Sequence, residues 1–328
     1  MKRLLTSLLA LVLAASLTAC GREAPPEDGR LRVVCTLFPY YDFVRQIGGD
    51  AVDVTLLVPA GRETHSFEPT PRDVIRISEA DVFLYNGGES EQWVDDILDA
   101  AGTDIPCVLS MMDAAELYEE EYAEGMQAAH GHDHDHDDHD HDDHDHDDHD
   151  EDIGYDEHIW TSPVTAMTLC RVIADALCEA DPANAEGYRV RLDDYLTRLA
   201  ALDETFRDIV ANASRRLLVF GDRFPLLYFC RAYGLDYRAA FHGCAGDTEP
   251  SLATLKYLID LVNGQHIPVV YTIELSSRKV AQAIAETTGA QVRTFHSCQT
   301  VSRAEFDSGV TYLQLMEANA GALREGLS

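Results

Sequence analysis

The sequence predicts an α/β protein of two lobes, each a four-stranded parallel sheet flanked by helices, joined by one long rigid helix. Short β-branched runs alternate with longer helical stretches from Leu31 to Leu109, the rhythm of βα units. The same rhythm returns from Leu217 to Phe295. Between the two stretches lies one long amphipathic pattern.

In the first half the strands are expected at Leu31 to Leu37, Val52 to Val58, Val82 to Tyr85 and Cys107 to Leu109. In the second they are expected at Leu217 to Phe220, Tyr237 to Ala240, Val269 to Ile273 and Val292 to Phe295. The connecting helix is placed over 181–212. Asp181 and Pro182 offer an N-cap and a proline at the first helical position. Tyr188, Leu192, Tyr195, Leu196, Leu199, Leu202, Phe206, Ile209 and Val210 then follow at spacings of three and four. At 1.5 Å per residue such a helix is roughly 40 Å long, enough to run the height of both lobes. The lobes are accordingly assigned to 31–180 and 213–328.

The beginning of the chain specifies a compartment. Lys2 and Arg3 precede an apolar run from Leu4 to Leu17, and Leu17-Thr18-Ala19-Cys20 places small residues before a cysteine. This pattern predicts a signal peptide over 1–19, lipidation of Cys20 and a flexible tether over 20–30. The protein is then held at the extracytoplasmic face of the cell membrane through lipid, because the apolar run is too short to span a bilayer comfortably.

The formal net charge is −33, which excludes nucleic acid as a natural partner. Much of that charge is local: residues 113–152 hold nineteen Asp or Glu and no Lys or Arg. Within them, His130, His132, His134, His136, His139, His141, His144, His146 and His149 alternate with aspartates. A tract without apolar residues packs no core, so a disordered loop inserted in the first lobe is expected. Imidazoles interleaved with carboxylates attract dications, so this loop should bind several metal ions at low affinity. Plain solvation of a charge run would not need a histidine at every second or third position.

A tight site requires residues placed by the folded lobes. Outside the tract the histidines are His65, His158, His242, His266 and His296. Ligands of open parallel sheets bind beyond the carboxyl ends of the strands. His65 follows the second strand, His242 the sixth and His296 the eighth, while His158 lies just after the acidic loop. Cys244 and Cys298 both follow predicted strands at one sheet edge and form the expected disulfide.

The motifs around these histidines resemble a known family, the zinc and manganese solute-binding proteins of ABC importers. Pro59-Ala60-Gly61-Arg62-Glu63-Thr64-His65-Ser66-Phe67-Glu68-Pro69-Thr70-Pro71 looks like the family's first ligand loop, and Asp156-Glu157-His158-Ile159-Trp160 looks like its second. Asn86-Gly87-Gly88 and Thr294-Phe295-His296-Ser297-Cys298 extend the likeness, and the acidic histidine-rich insertion is typical of the zinc-specific branch.

The resemblance implies a metal held between the lobes by His65, His158 and His296. The family's third ligand lies in a His-Asp-x-Phe stretch, which here reads Gly221-Asp222-Arg223-Phe224. Asp222, Glu274 or a water would then complete the shell, with Asp222 the first choice. Glu63, Glu68 or Asp156 would accept the second ring N–H of a ligand histidine. A histidine-rich set favours Zn2+ over Mn2+. The function implied is capture of zinc and its delivery to an ABC permease and ATPase by a monomeric, non-enzymatic binding protein. Two rivals remain open. One is a zinc hydrolase with three protein ligands and a water, although neither H-E-x-x-H nor G-x-S-x-G occurs. The other is a surface zinc-storage or adhesin protein.

Overall fold

The computed structural model describes residues 29–64, 67–101, 105–126, 154–243 and 250–328. Eight parallel strands form two sheets. The first contains β1 (Leu31–Cys35), β2 (Val52–Leu56), β3 (Val82–Tyr85) and β4 (Cys107–Ser110) in the order β2-β1-β3-β4. The second contains β5 (Leu217–Phe220), β6 (Asp236–Ala239), β7 (Val269–Thr272) and β8 (Gln291–Thr294) in the order β6-β5-β7-β8. Both orders reverse direction at the middle, so each sheet has a crevice at the carboxyl ends of its two central strands. The central strands are the most apolar, as burial on both faces requires.

The helices of the first lobe are α1 (Phe38–Gly48), α2 (Pro71–Ser78) and α3 (Trp93–Ala101). Two long helices follow, α4 (Pro163–Ala180) and α5 (Ala185–Ala211). The second lobe adds α6 (Leu227–Tyr233), α7 (Leu252–Gln265), α8 (Lys279–Thr288), α9 (Arg303–Asp307) and α10 (Tyr312–Leu327). Among the described residues no helix is long and apolar enough to cross a membrane.

Asp181 does not start the connecting helix as the sequence suggested. It closes α4 as its C-cap, and its carboxylate accepts hydrogen bonds from Asn184 Nδ2 (2.7 Å) and the Tyr188 hydroxyl (2.8 Å). Pro182 fits either reading, since proline is common just after a helix end as well as at a helix start. The connecting helix therefore runs over Ala185–Ala211.

Helix α5 packs against α1, α4 and α10 and buries Tyr188, Tyr195, Leu199, Leu202 and Phe206. Its partners come from both lobes: Tyr195 meets Phe43 of α1, while Phe206 packs edge-on against Phe229 of α6 at 4.9 Å. The main apolar core consequently runs without interruption from β1 and β3 through α4 and α5 to β5, β7 and α10. Two smaller clusters fill the outer faces of the sheets, one around Ile77 and Phe83 and one around Leu258 and Val270.

Polar bonds cross the same seam. Buried Asp42 of α1 accepts the Tyr312 backbone N–H at 2.8 Å, placing a carboxylate at the amino end of α10. Trp160, fully buried, donates from Nε1 to the Ser297 carbonyl (2.8 Å), and its own carbonyl accepts from the Tyr312 hydroxyl (2.8 Å). Because Phe206 sits where α5 joins the second lobe, Phe206→Ala is expected to lower unfolding stability by about 3–5 kcal/mol in a denaturant titration. A loss below about 1 kcal/mol would mean the seam does not depend on this contact.

Candidate metal centre

His158 precedes a short 3-10 turn, Ile159–Thr161, and is fully buried. Asp156 fixes it twice: one carboxylate oxygen accepts the His158 backbone N–H (2.8 Å) and stands 3.2 Å from ring Nδ1. A carboxylate beside Nδ1 favours the tautomer that leaves Nε2 as a ligand. Burial alone would push the imidazole pKa down, but the Asp156 charge and hydrogen bond, with Glu157 and Glu120 nearby, raise it above the ordinary histidine value.

The backbone leading to His158 is held by the turn after β3. Asn86 Nδ2 donates to the Glu157 carbonyl (2.9 Å), and buried Glu91 accepts the N–H groups of Asn86 (2.6 Å) and Gly87 (3.1 Å). Gly88 has φ +83°, and a Cβ there would lie 2.4 Å from the Glu157 carboxylate. The Asn86-Gly87-Gly88 motif is thus a seat for the His158 segment rather than a ligand loop.

His242 follows β6 in the second lobe and is 8% exposed. Its Nδ1 lies 3.3 Å from Glu120. Nε2 is buried and, among the described residues, has no hydrogen-bond partner. The chain then passes over the His158 ring, where a Cβ on Gly243 would come within 3.2 Å of His158 Cε1. The backbone just after His242 in the second lobe therefore lies against the His158 ring of the first.

His296 follows β8 and is 6% exposed. Asn319 of α10 clamps its backbone, accepting from its N–H (2.7 Å) and donating to its carbonyl (2.8 Å). Ring Nδ1 accepts the Cys298 backbone N–H (2.9 Å) and lies 3.5 Å from Glu274, while Nε2 is buried without a partner among the described residues. Glu274 also accepts from Ser297 N–H (2.8 Å) and the Ser297 hydroxyl, so it supports His296 from behind.

His65 lies outside the described residues, as do Cys20 and the histidine tract from His130 to His149. The chain just before His65 reaches the second lobe, where the Gly61 N–H donates to the Val301 carbonyl at 2.7 Å. The two feet of the tract are joined to each other. Glu119 and Tyr155 form an antiparallel bridge, Glu120 N–H donates to Gly154 and Asp156 N–H donates to Tyr118, each at 2.9 Å. The two carboxylates facing His242 and His158 therefore stand on the two feet of the tract.

Asp222, the expected fourth ligand, is engaged by backbone and side-chain donors here. One of its oxygens accepts the Arg223 N–H (2.9 Å), the other accepts the Ile273 N–H (3.3 Å), and Ser276 adds a side-chain hydrogen bond. It staples the end of β5 to the end of β7. Gly221 is no vacant ligand position either, because a Cβ there would lie 2.5 Å from the Ala281 Cα and point into α8. Among the described residues, Asp156 faces a histidine ring nitrogen, Glu63 is engaged by Arg223, Glu68 is exposed and His266 is an exposed C-cap of α7. Cys298 is a buried free thiol whose Sγ turns back toward the His296 carbonyl (3.9 Å), and its expected partner Cys244 lies outside the described residues. Among the described residues no three His, Cys, Asp or Glu side chains by themselves form a metal-holding group.

With this geometry in place, the comparisons with known proteins are informative. The profile of the family described as ZnuA, zinc-uptake complex component A, periplasmic, matches residues 33–326. The chain belongs to this family. It is 32% identical over 319 residues to the high-affinity zinc uptake system protein ZnuA of Bacillus subtilis (strain 168), covering 94% of this chain and 93% of that one. It is 30% identical to the zinc-binding lipoprotein AdcA of Streptococcus pneumoniae, but spans 60% of that longer protein. Among solved structures it resembles the metal-dependent lipoprotein YcdH of Bacillus subtilis (TM-score 0.73, 28% identity, covering 91% of this chain and all of that one). It also resembles the Zn(II)-bound ZnuA-like domain of Streptococcus pneumoniae AdcA (TM-score 0.71, 26% identity, 91% and 99% covered). The ZnuA-family fold of two parallel sheets joined through a long helix is the one found here.

Two outcomes are expected. Burial pushes the Glu91 carboxyl up to about 7, with Glu157 adding to the shift and hydrogen bonds opposing it. A raised value means the native state holds the proton more tightly than the unfolded chain. This contribution to stability is fully present below the ordinary carboxyl value of 4.5 and is lost as pH rises through about 7. Relative to the parent chain, Glu91→Gln should therefore gain on the order of 1–3 kcal/mol between pH 5 and pH 8 in urea unfolding of the metal-free protein. A pH-independent difference would sink this account. Gly221→His should cost about 2 kcal/mol or more by overpacking α8 and should add no zinc ligand, which thermal unfolding and zinc titration would check.

Proposed function

We propose that this protein is the extracytoplasmic substrate-binding component of a zinc ABC importer, anchored through Cys20, which captures Zn2+ between its lobes and hands it to the permease. The observation that carries this reading is a pair of imidazoles in the second lobe, His242 and His296, whose Nε2 atoms are buried without a partner among the described residues. Leaving a buried polar atom unsatisfied costs about 1–3 kcal/mol, a cost that a bound cation removes. The His158 ring of the first lobe lies against Gly243, the residue after His242.

The ligand set we propose is His65, His158, His242 and His296, with His242 in the place first assigned to Asp222. Four imidazoles match the tetrahedral preference of zinc and favour it over manganese, which prefers oxygen. They also leave no open coordination position for a catalytic water, which argues against a hydrolase. The four are not equivalent. His296 Nδ1 accepts a backbone N–H, which leaves the proton of the neutral ring on Nε2. Metal binding there requires that proton to leave Nε2 and Nδ1–H to turn to Glu274, so His296 should contribute less affinity than His158.

Calorimetric zinc titration of the mature chain tests the assignment. One tight site should survive deletion of 130–150 and weaken on the order of a hundredfold or more in His158→Ala and His242→Ala, but only about tenfold in His296→Ala. Tight binding that is lost in Asp222→Asn yet kept in His242→Ala would return the fourth position to Asp222. Loss of tight binding with the tract alone would favour storage at the surface.

A further inference from the structure

Glu63 stands two residues before His65 in the loop after β2, and Arg223 stands just after β5 in the other lobe. The guanidinium grips the carboxylate with both arms, Nη1 to Oε1 at 3.3 Å and Nη2 to Oε2 at 2.9 Å. Arg223 is mostly buried, its side chain 14% exposed against 38% for Glu63. Its base is rigid, because Asp222 holds the Arg223 N–H at 2.9 Å and is itself held by the Ile273 N–H. The Gly61 to Val301 bond ties the same loop to the same lobe from the other side. Such a forked, partly desolvated pair is directional in a way that a surface lysine contact is not.

We propose that Arg223 is a positioning residue: its two-armed grip on Glu63 holds the His65 loop against the second lobe and sets how slowly zinc leaves. The Gly221-Asp222-Arg223 stretch then supplies a clamp where a ligand was expected, with Asp222 as the base and Arg223 as the jaw. This rests on the reading of His65 as a ligand given above. A second effect accompanies the grip and has the opposite sign. Removing the Arg223 charge by itself favours retention of a nearby dication, whereas removing the Glu63 charge disfavours it. The clamp and the charge effect therefore predict different signs for removal of Arg223.

The experiment is stopped-flow transfer of zinc from the loaded full-length chain to an excess of chelator, for the parent, Glu63→Gln, Arg223→Gln, the double variant and Arg223→Lys. The clamp predicts release about tenfold faster in each single Gln variant and no faster in the double, because a tenfold change corresponds to about 1.4 kcal/mol of shared coupling. Arg223→Lys, which retains charge but not the fork, should fall between parent and Arg223→Gln. The association rate should be unchanged throughout, which a merely misfolded loop would not allow. Slower release in Arg223→Gln, single effects that multiply in the double, or unchanged release overturns the clamp while leaving the tight site intact. Absence of a tight site in the parent overturns both the ligand reading and the clamp.

Discussion

Both sheets direct their carboxyl ends into one seam, and the seam is held because the apolar core does not stop at the boundary between the lobes. Phe43, Tyr195, Phe206 and Phe229 pass from the first lobe through α5 into the second. Trp160 and Tyr312 add polar bonds across the same line. Hinging the lobes apart would expose this whole surface at roughly 25 cal/mol per Å2, so large closure motions are disfavoured and small shifts of the loops remain. A frame this stiff can hold the buried Nε2 atoms of His242 and His296 without a hydrogen-bond partner among the described residues.

Within that frame the strands divide their duties. Edge strands β6 and β8 lead directly to His242 and His296, whereas central strands β3, β5 and β7 lead to Asn86, Asp222 and Glu274. The central residues hydrogen-bond backbone or support an imidazole from behind. A reason lies in the packing. Turns at the sheet centre have neighbours on both sides and spend their polar groups on fixing one another, while turns at the edges can lean over the crevice.

The sequence made the strands legible to within two residues at either end, because buried parallel strands are short, β-branched and bounded by turns. The start of α5 was misplaced since Asp181-Pro182 suits the end of one helix as well as the start of the next. The strand-end rule singled out His242 and His296, and His158 was singled out by its place after the acidic loop; all three are buried here. Glu120 was not, because it sits in an acidic run that reads as solvated charge, and only the crossing of that segment to β6 gives it a partner. The Asp222 assignment came from matching a stretch to a family pattern, which carries no information on the backbone N–H groups of Arg223 and Ile273 that its carboxylate accepts here. A cysteine pair on one sheet edge likewise says nothing about where Cys298 turns.

One feature of the feet of the histidine tract bears on how such proteins diversify. The bridge between Glu119 and Tyr155 closes the insertion at its base, so the site sees only two anchored ends. The free energy of closing a loop grows with the logarithm of its length, about 0.6 kcal/mol per doubling. Adding or removing His-Asp repeats between these two anchored ends therefore changes the cost of closing the insertion only slightly.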